Sequence, residues 1–299
     1  MNRKRKEHWI PNKSYLNYFI DDKLSKSLCN VYKKETLENI DKIQPKLVAP
    51  DKLFKESYFY ESPDKPLNAI EDFLADIEGK YKKILDNKIL NKKKINDDDK
   101  KIIEYFLSTF ETRTLSAKEY NNSFIDKILE HVVALEKQFK SGKKSKIHEE
   151  LIKAKEYNLS YSDFITTSIT INRRQFADFQ FLFVDFEGED QFFITSDNPV
   201  SQIDFVYMNG PYGLFPQSPT LEIILPLTPK IALFANNIGI KGYKDVPPNF
   251  VREINHRTLT YSSTDIISPH KLDSAFINNC VRRFTQSFIL FNLKDELKK

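Results

Sequence analysis

The sequence predicts an α+β protein, with a helical N-terminal half packed on a mainly antiparallel C-terminal sheet and two late helices. Three observations predict it. From residue 66 to residue 139, apolar residues recur every three or four positions, which is the helical period. After Arg174 this gives way to short runs of Phe, Ile, Leu and Val separated by Gly, Pro and Asp, the pattern of strands and turns. The helical period then returns at residues 250–262 and 272–284. At 299 residues and 40% hydrophobic, the chain suits a single compact unit over 1–299, with a helical part of about 1–172 and a sheet-rich part of about 173–299.

Taken in order, Pro11 ends an extended entry, and Ser14 is placed to cap a short helix carrying Leu16, Phe19 and Ile20. Residues 27–32 read as a short strand. Residues 33–65 read as irregular, punctuated by Pro45, Pro50 and Pro63, with Tyr58, Phe59 and Tyr60 anchoring them to the core. Residues 66–87 carry the clearest helical stripe: Leu67, Ile70, Leu74, Ile77, Tyr81 and Ile84. A second stripe holds Ile102, Ile103, Phe106, Leu107 and Phe110. Asp97 to Asp99 load its first turn with the negative charge that the helix dipole favours. A third helix over 117–139 carries the apolar residues Phe124, Ile128, Val132, Leu135 and Phe139, and helices follow over 145–157 and 161–172. Residues 179–184 read as a strand, paired through a Gly188–Glu189–Asp190 turn with 191–195 as a hairpin. A loop over 201–220, strands at 221–227 and 231–235, an edge strand at 266–269 and a last strand at 288–293 complete the reading.

Composition narrows the function. Only 7 glycines occur, and neither a G-x-G-x-x-G nor a G-x-x-x-x-G-K-[ST] motif is present, which argues against a glycine-built nucleotide loop. No apolar run reaches the roughly 20 residues that a membrane span needs. The basic Arg3 to Lys6 run lacks the apolar core of a signal peptide behind it. Two cysteines, Cys29 and Cys280, suit a reducing compartment rather than a disulfide scaffold, so a cytoplasmic, bacterial protein is expected. The net charge of +4 is unevenly spread, with lysine runs at 80–83, 92–94 and 140–146. A basic face can meet nucleic acid, yet the aromatic interleaving expected of a single-strand groove is not obvious beside these runs. The bland alternative is solvated loops.

The candidate chemistry centres on Gln191 to Val200, Q-F-F-I-T-S-D-N-P-V. An apolar run ends in Ser196, Asp197 and Asn198 before Pro199. It reads either as a strand closed by an Asx-type turn, with Asp197 bonding local N–H groups, or as a strand end aiming a carboxylate into a cleft. Glu71 and Glu78 are seven apart, so they stack on one side of their helix, as metal ligands, an acid/base pair or plain solvated flanks. Arg113 at a helix end suits bidentate anion binding or an ion pair with Glu71 or Glu78. His8, beside Trp9 and Ile10, is either a packed residue or a proton-transfer group.

These landmarks resemble a bacterial family known as domain of unknown function 4238. The resemblance rests on His8-Trp9-Ile10-Pro11 with Tyr15-Leu16-Asn17-Tyr18-Phe19, on Glu71, Leu74, Ile77 and Glu78, on Thr112-Arg113-Thr114, on Phe193 to Val200, and on Leu225-Pro226-Leu227-Thr228-Pro229. Trp9 stands where the family usually has Tyr, and Thr228 where it has Ser. The resemblance supports the boundaries and the residue list but brings no activity. Two hypotheses follow. If His8, Glu71, Glu78, Arg113, Ser196, Asp197 and Asn198 converge in one open cleft, they suit a phosphodiester hydrolase acting on RNA or DNA, as in a toxin or phage-defence effector. His8 would then be the acid or base, Arg113 would hold phosphate, and Asp197 would orient His8 or bind a metal. If instead they are sealed or far apart, they form a structural polar network in a binding or interaction module. The sequence specifies neither a cofactor nor a metal.

Overall fold

A computed structural model describes residues 7–24, 26–56, 59–60, 68–139, 144–156, 159–186, 191–204 and 217–281. The expected hairpin turn at 188–190, most of the 201–220 loop, the strand at 288–293, helix residues 66–67 and 282–284, Pro63, Tyr58 and the Arg3 to Lys6 run lie outside them.

The chain opens with strand β1 (Glu7–His8) and a 3-10 turn at Leu16–Phe19. Strands β2 (Cys29–Lys33), β3 (Lys46–Val48) and β4 (Lys55–Glu56) follow, with 3-10 segments at Lys34–Lys42 and Pro50–Lys52, so the described part of the region expected to be irregular carries short regular elements. Helices α1 (Ala69–Ile84), α2 (Asp97–Thr112), α3 (Leu115–Gln138), α4 (Lys146–Glu156) and α5 (Leu159–Phe176) come next. The remainder is β5 (Gln180–Asp185), β6 (Thr195–Ser196), β7 (Ser201–Asp204), β8 (Leu221–Pro226), β9 (Ile231–Asn236), β10 (Gly242–Asp245), α6 (Pro248–Tyr261), β11 (Asp265–Ser268) and α7 (Ser274–Val281).

Helix α2 starts where Asn96 and Asp99 form a reciprocal capping box, which satisfies two orphan donors of the first turn. Its stripe meets that of α1, with the Tyr81 and Phe106 rings stacked at 3.5 Å. The Thr112-Arg113-Thr114 segment ends α2 and restarts the chain as α3. The Thr112 hydroxyl donates back to the Ser108 carbonyl at 3.0 Å, and Thr114 Oγ1 accepts the Ala117 N–H at 3.2 Å as the N-cap of α3.

The five-stranded sheet has the order β10-β5-β9-β8-β7, antiparallel except for the parallel β10–β5 edge. Phe181, Phe183, Ile223, Leu225 and Leu233 face the helices α1, α2 and α5, while Leu182, Val184, Ile224, Ala232 and Phe234 face α6. Covering both faces explains why β5, β8 and β9 read as continuous apolar runs rather than alternating ones. Each such large side chain contributes about 1.5–3 kcal/mol when fully buried.

Two expectations are corrected. Residues 191–195 form no hairpin with β5, whose partners are β9 and β10. Only Thr195 and Ser196 are strand, and they pair with β11 in a second, antiparallel sheet of order β3-β2-β11-β6. The strand at Asp265–Ser268 is therefore interior to its sheet, not an edge. On α3 the apolar stripe is largely exposed: Phe124 is 54% exposed and Phe139 75%, and Asn121 is the one buried residue assigned to that helix. Periodicity locates an apolar face but does not say what covers it. Among the described residues, no helix is long and apolar enough to cross a membrane.

Candidate functional site

The sequence-derived residues fall into two buried clusters. In the first, the N-terminal strand is fastened to the helices. Arg113, 1% exposed, donates through Nη2 to the His8 carbonyl, through Nε to the Tyr60 hydroxyl at 3.0 Å, and through Nη1 to Glu78. The Tyr60 hydroxyl also donates to the His8 carbonyl at 2.7 Å, and Ser14 Oγ donates to the other Glu78 oxygen at 3.3 Å. Burial alone would lower the Arg113 pKa. The Tyr60 hydroxyl and Glu78, with Glu71 behind them, outweigh it and raise the value, so the guanidinium stays charged. Of the two expected ion-pair partners, Glu78 is the direct one.

What this cluster uses of His8 is its carbonyl. The ring points elsewhere: Nδ1 donates to the Leu53 carbonyl at 3.1 Å, which fixes the tautomer and leaves Nε2 as the acceptor. Burial lowers the His8 pKa, a change that Lys55 and Arg113 reinforce and the Leu53 bond partly offsets. The imidazole is therefore neutral at pH 7.

The second cluster is built by Ser196, Asp197 and Asn198. Asp197, 5% exposed, accepts the Ser263 N–H at 2.9 Å on one oxygen, and the Thr264 N–H and hydroxyl, both at 2.8 Å, on the other. It thus binds the chain just after α6, 66 residues away, rather than its own turn. That turn is closed by Ser196 Oγ, which accepts the Asn198 N–H at 3.1 Å, while Asn198 Nδ2 donates to the Tyr261 carbonyl at 3.0 Å. Among the described residues no hydrogen bond joins the His8 side chain to Asp197. Neighbours of the clusters meet where the Tyr15 hydroxyl lies 2.6 Å from Thr195 Oγ1.

The open space lies beside these clusters, at the seam between the helices and the five-stranded sheet. Two cavities, of about 410 and 470 Å³, flank the C-terminal end of α2 and share Glu111 and Gln202. Asn198, Tyr261 and Ser116 line the first, and Asn172, Gln175 and Phe176 the second. Glu111 accepts from Asn172 Nδ2 at 3.1 Å and from Gln202 Nε2. Burial pushes its carboxyl up to about 8, and the Asn172 amide offsets this only in part. A carboxyl that holds its proton at neutral pH can donate a hydrogen bond or a proton. No lysine, arginine or histidine is among the described lining residues.

Of the expected residues, Asn198 alone reaches this cleft. Sequence reasoning missed Glu111, although a signal was present. Glu111 lies four residues after Leu107 and next to Phe110, which puts a carboxylate on the apolar face of α2 directly before the Thr-Arg-Thr segment. Among the described residues one group with metal-ligand side chains, Asp21, Asp22 and His270, lies apart from these residues.

No curated protein and no solved structure matches the chain. A family model does, over residues 6–271, and this span takes in both clusters and the seam cleft. The chain belongs to the family described as protein of unknown function (DUF4238).

Proposed function

We propose that the protein is a binding module that receives an uncharged, hydrogen-bonding ligand in the seam cleft, and that the motif residues are the scaffold that shapes it. The observation that carries this reading is Glu111, the one carboxyl in the cleft, held between the amides of Asn172 and Gln202 with no cation in the described lining. Amide groups on apolar and aromatic walls suit a neutral ligand, and few polar groups on an apolar wall are what small-molecule pockets present. An anion would meet no cation in the described lining. The burial and full hydrogen bonding of Asp197 and Arg113 support the network role for them.

A phosphodiester hydrolase, and with it a nuclease-type toxin or phage-defence role, finds less support. Asp197 spends its carboxylate on Ser263 and Thr264, and Arg113 spends its three nitrogens on His8, Tyr60 and Glu78. Two buried thiols, Cys29 and Cys280, support work in a reducing compartment such as the cytoplasm. A core cluster running from Ile10 to Ile267 supports reading the chain as one unit.

The test is a ligand screen by thermal shift with the full chain, using neutral nucleosides, sugars and amides, repeated with Glu111→Gln and Asn198→Ala. A stabilising neutral compound whose effect is lost in the variants supports the reading. Cleavage of RNA or DNA by the parent, abolished in His8→Gln while the variant keeps its fold, would replace it with the hydrolase.

A further inference from the structure

The N-terminal end of α2 borders a different cavity, of about 420 Å³, which neither the family motifs nor the seam cleft uses. Its walls come from three places far apart in the chain. Strand β5 brings Gln180, Phe181 and Phe183, strand β10 brings Gly242 and Tyr243, and the loop into α2 brings Lys92, Lys94, Ile95 and Asn96, with Lys100 and Lys241 also in the lining. The Tyr243 ring rests on Phe183, centroids 5.1 Å apart and planes 24° apart, and its hydroxyl donates to the Lys93 carbonyl at 2.8 Å. The Lys100 ammonium sits 5.9 Å from the centre of the Phe181 ring.

The loop is clamped. Lys92 has a left-handed backbone, φ 50°, unusual for a residue other than Gly, Asn or Asp. Its ammonium lies 2.6 Å from Asp185 on β5 and 3.1 Å from Asp245 on β10, which fixes the loop to the sheet edge. Lys100 is met by Glu104 at 3.3 Å. Lys94 and Lys241 are exposed, and among the described residues no carboxylate pairs with either. Asp97, in the first turn of α2, also lines the cavity. It makes the helix end itself unsuited to an anion and leaves Lys94 and Lys241 as the cations of the lining that no carboxylate among the described residues pairs with.

An aromatic floor with unpaired lysines at its rim recognises a flat ring carrying negative charge. The ring gains stacking and apolar contact, and the anion gains the two ammonium groups. The volume falls within the range of small-ligand pockets, about 300–1,000 Å³. We propose that this cavity binds a nucleoside phosphate, with the base against Tyr243 and the phosphate toward Lys94 and Lys241. The absence of a glycine-rich loop does not oppose this. The phosphate is met here by mobile side-chain charge rather than by backbone N–H groups, so binding is modest and falls as salt screens the lysines. The proposal is independent of the seam cleft.

The experiment is calorimetric titration of the full chain with adenosine monophosphate, adenosine, inorganic phosphate and a short oligoadenylate, at low and at high salt. Adenosine monophosphate is expected to bind more tightly than either adenosine or phosphate. The double variant Lys94→Glu, Lys241→Glu is expected to weaken binding by about tenfold or more, as charge reversal at the rim implies, without lowering the melting temperature. An oligoadenylate that binds where the monophosphate does not places the nucleoside phosphate within a strand, and equal affinity per nucleotide makes it a free nucleotide. Both support the site. No binding of monophosphate or oligomer at millimolar concentration, an unchanged affinity in the double variant, or equal binding of phosphate and adenosine monophosphate overturns it.

Discussion

The two ends of α2 border cavities of similar size and opposite character. The helix is 16 residues long, about 24 Å at 1.5 Å per residue. Lysines and stacked rings line the space at its start, amides and one carboxyl the space at its end. Two glutamates on the same helix show how such a difference arises. Glu104 and Glu111 are seven apart and both face α5. Glu104 meets Lys100 and Arg173, each at 3.3 Å, whereas Glu111 meets the Asn172 amide. Arg173 and Asn172 are neighbours in sequence. One helix thus supplies a cation to the first glutamate and only a dipole to the second, and the second keeps its proton instead of a counter-charge. Burial raises the Glu111 carboxyl, and the Asn172 amide offsets this only in part.

Removing Arg113 should have the largest effect, because it fixes the end of α2 to β1 and α1 together. Arg113→Ala removes the buried counter-charge of Glu78 and one of the two donors to the His8 carbonyl, and is expected to cost about 3–5 kcal/mol and lower the midpoint of thermal unfolding by roughly 10 °C. A loss near that of an exposed ion pair would mean that the network is not what holds the N-terminal strand.

The next effect is a pH dependence. The folded Glu111 carboxyl titrates at about 8, above its ordinary 4.5. Its favourable contribution is therefore complete below about pH 4.5 and lost as pH rises through 8. Melting of the parent should decline between pH 5 and pH 9, and Glu111→Gln should flatten that decline by roughly 3–8 °C. An equal slope in parent and variant would assign the pH dependence to other groups. Asn172→Lys sharpens the contrast by giving Glu111 the kind of partner that Glu104 has. Its carboxyl, followed by NMR titration, should then move back toward the ordinary range, by about 1 unit or more. The smallest effect on stability is expected from Lys94→Glu with Lys241→Glu, within about 0.5 kcal/mol of the parent in chemical denaturation, since both side chains are exposed.

How much of this was legible in the sequence depended on range. The stripes of α1 and α2 and the runs of β8 and β9 were readable because their signals are local. The pairing of Arg113 with Glu78 was readable as one of two options, since α1 presents both glutamates on one side. The hairpin assigned to residues 179–195 failed because β5 is buried on both faces, and a two-sided strand has partners that its own neighbourhood does not name. Asp197 was placed in a turn correctly, but its bonds run to Ser263 and Thr264, a distance no turn rule covers. The aromatic residues missing beside the lysine run at 92–94 are supplied in space by Phe181, Phe183 and Tyr243, from strands 90 to 150 residues downstream. Glu111 was overlooked because a single polar residue on an apolar helix face resembles an imperfection of the stripe.

The order of strands in the second sheet sets a schedule for synthesis. Strands β2 and β3 are complete once residue 48 is made, but β11, the strand that belongs between β2 and β6, begins only at residue 265. At about 5–20 residues per second that interval lasts roughly 10–45 s on the ribosome. Throughout it the edge of β2 stands open, a ready template for strands of other chains. A nascent chain of this kind depends on being shielded until its last third has emerged. A product terminated before residue 265 would carry two unpaired edges, on β2 and on β6, and should be cleared or aggregate rather than accumulate.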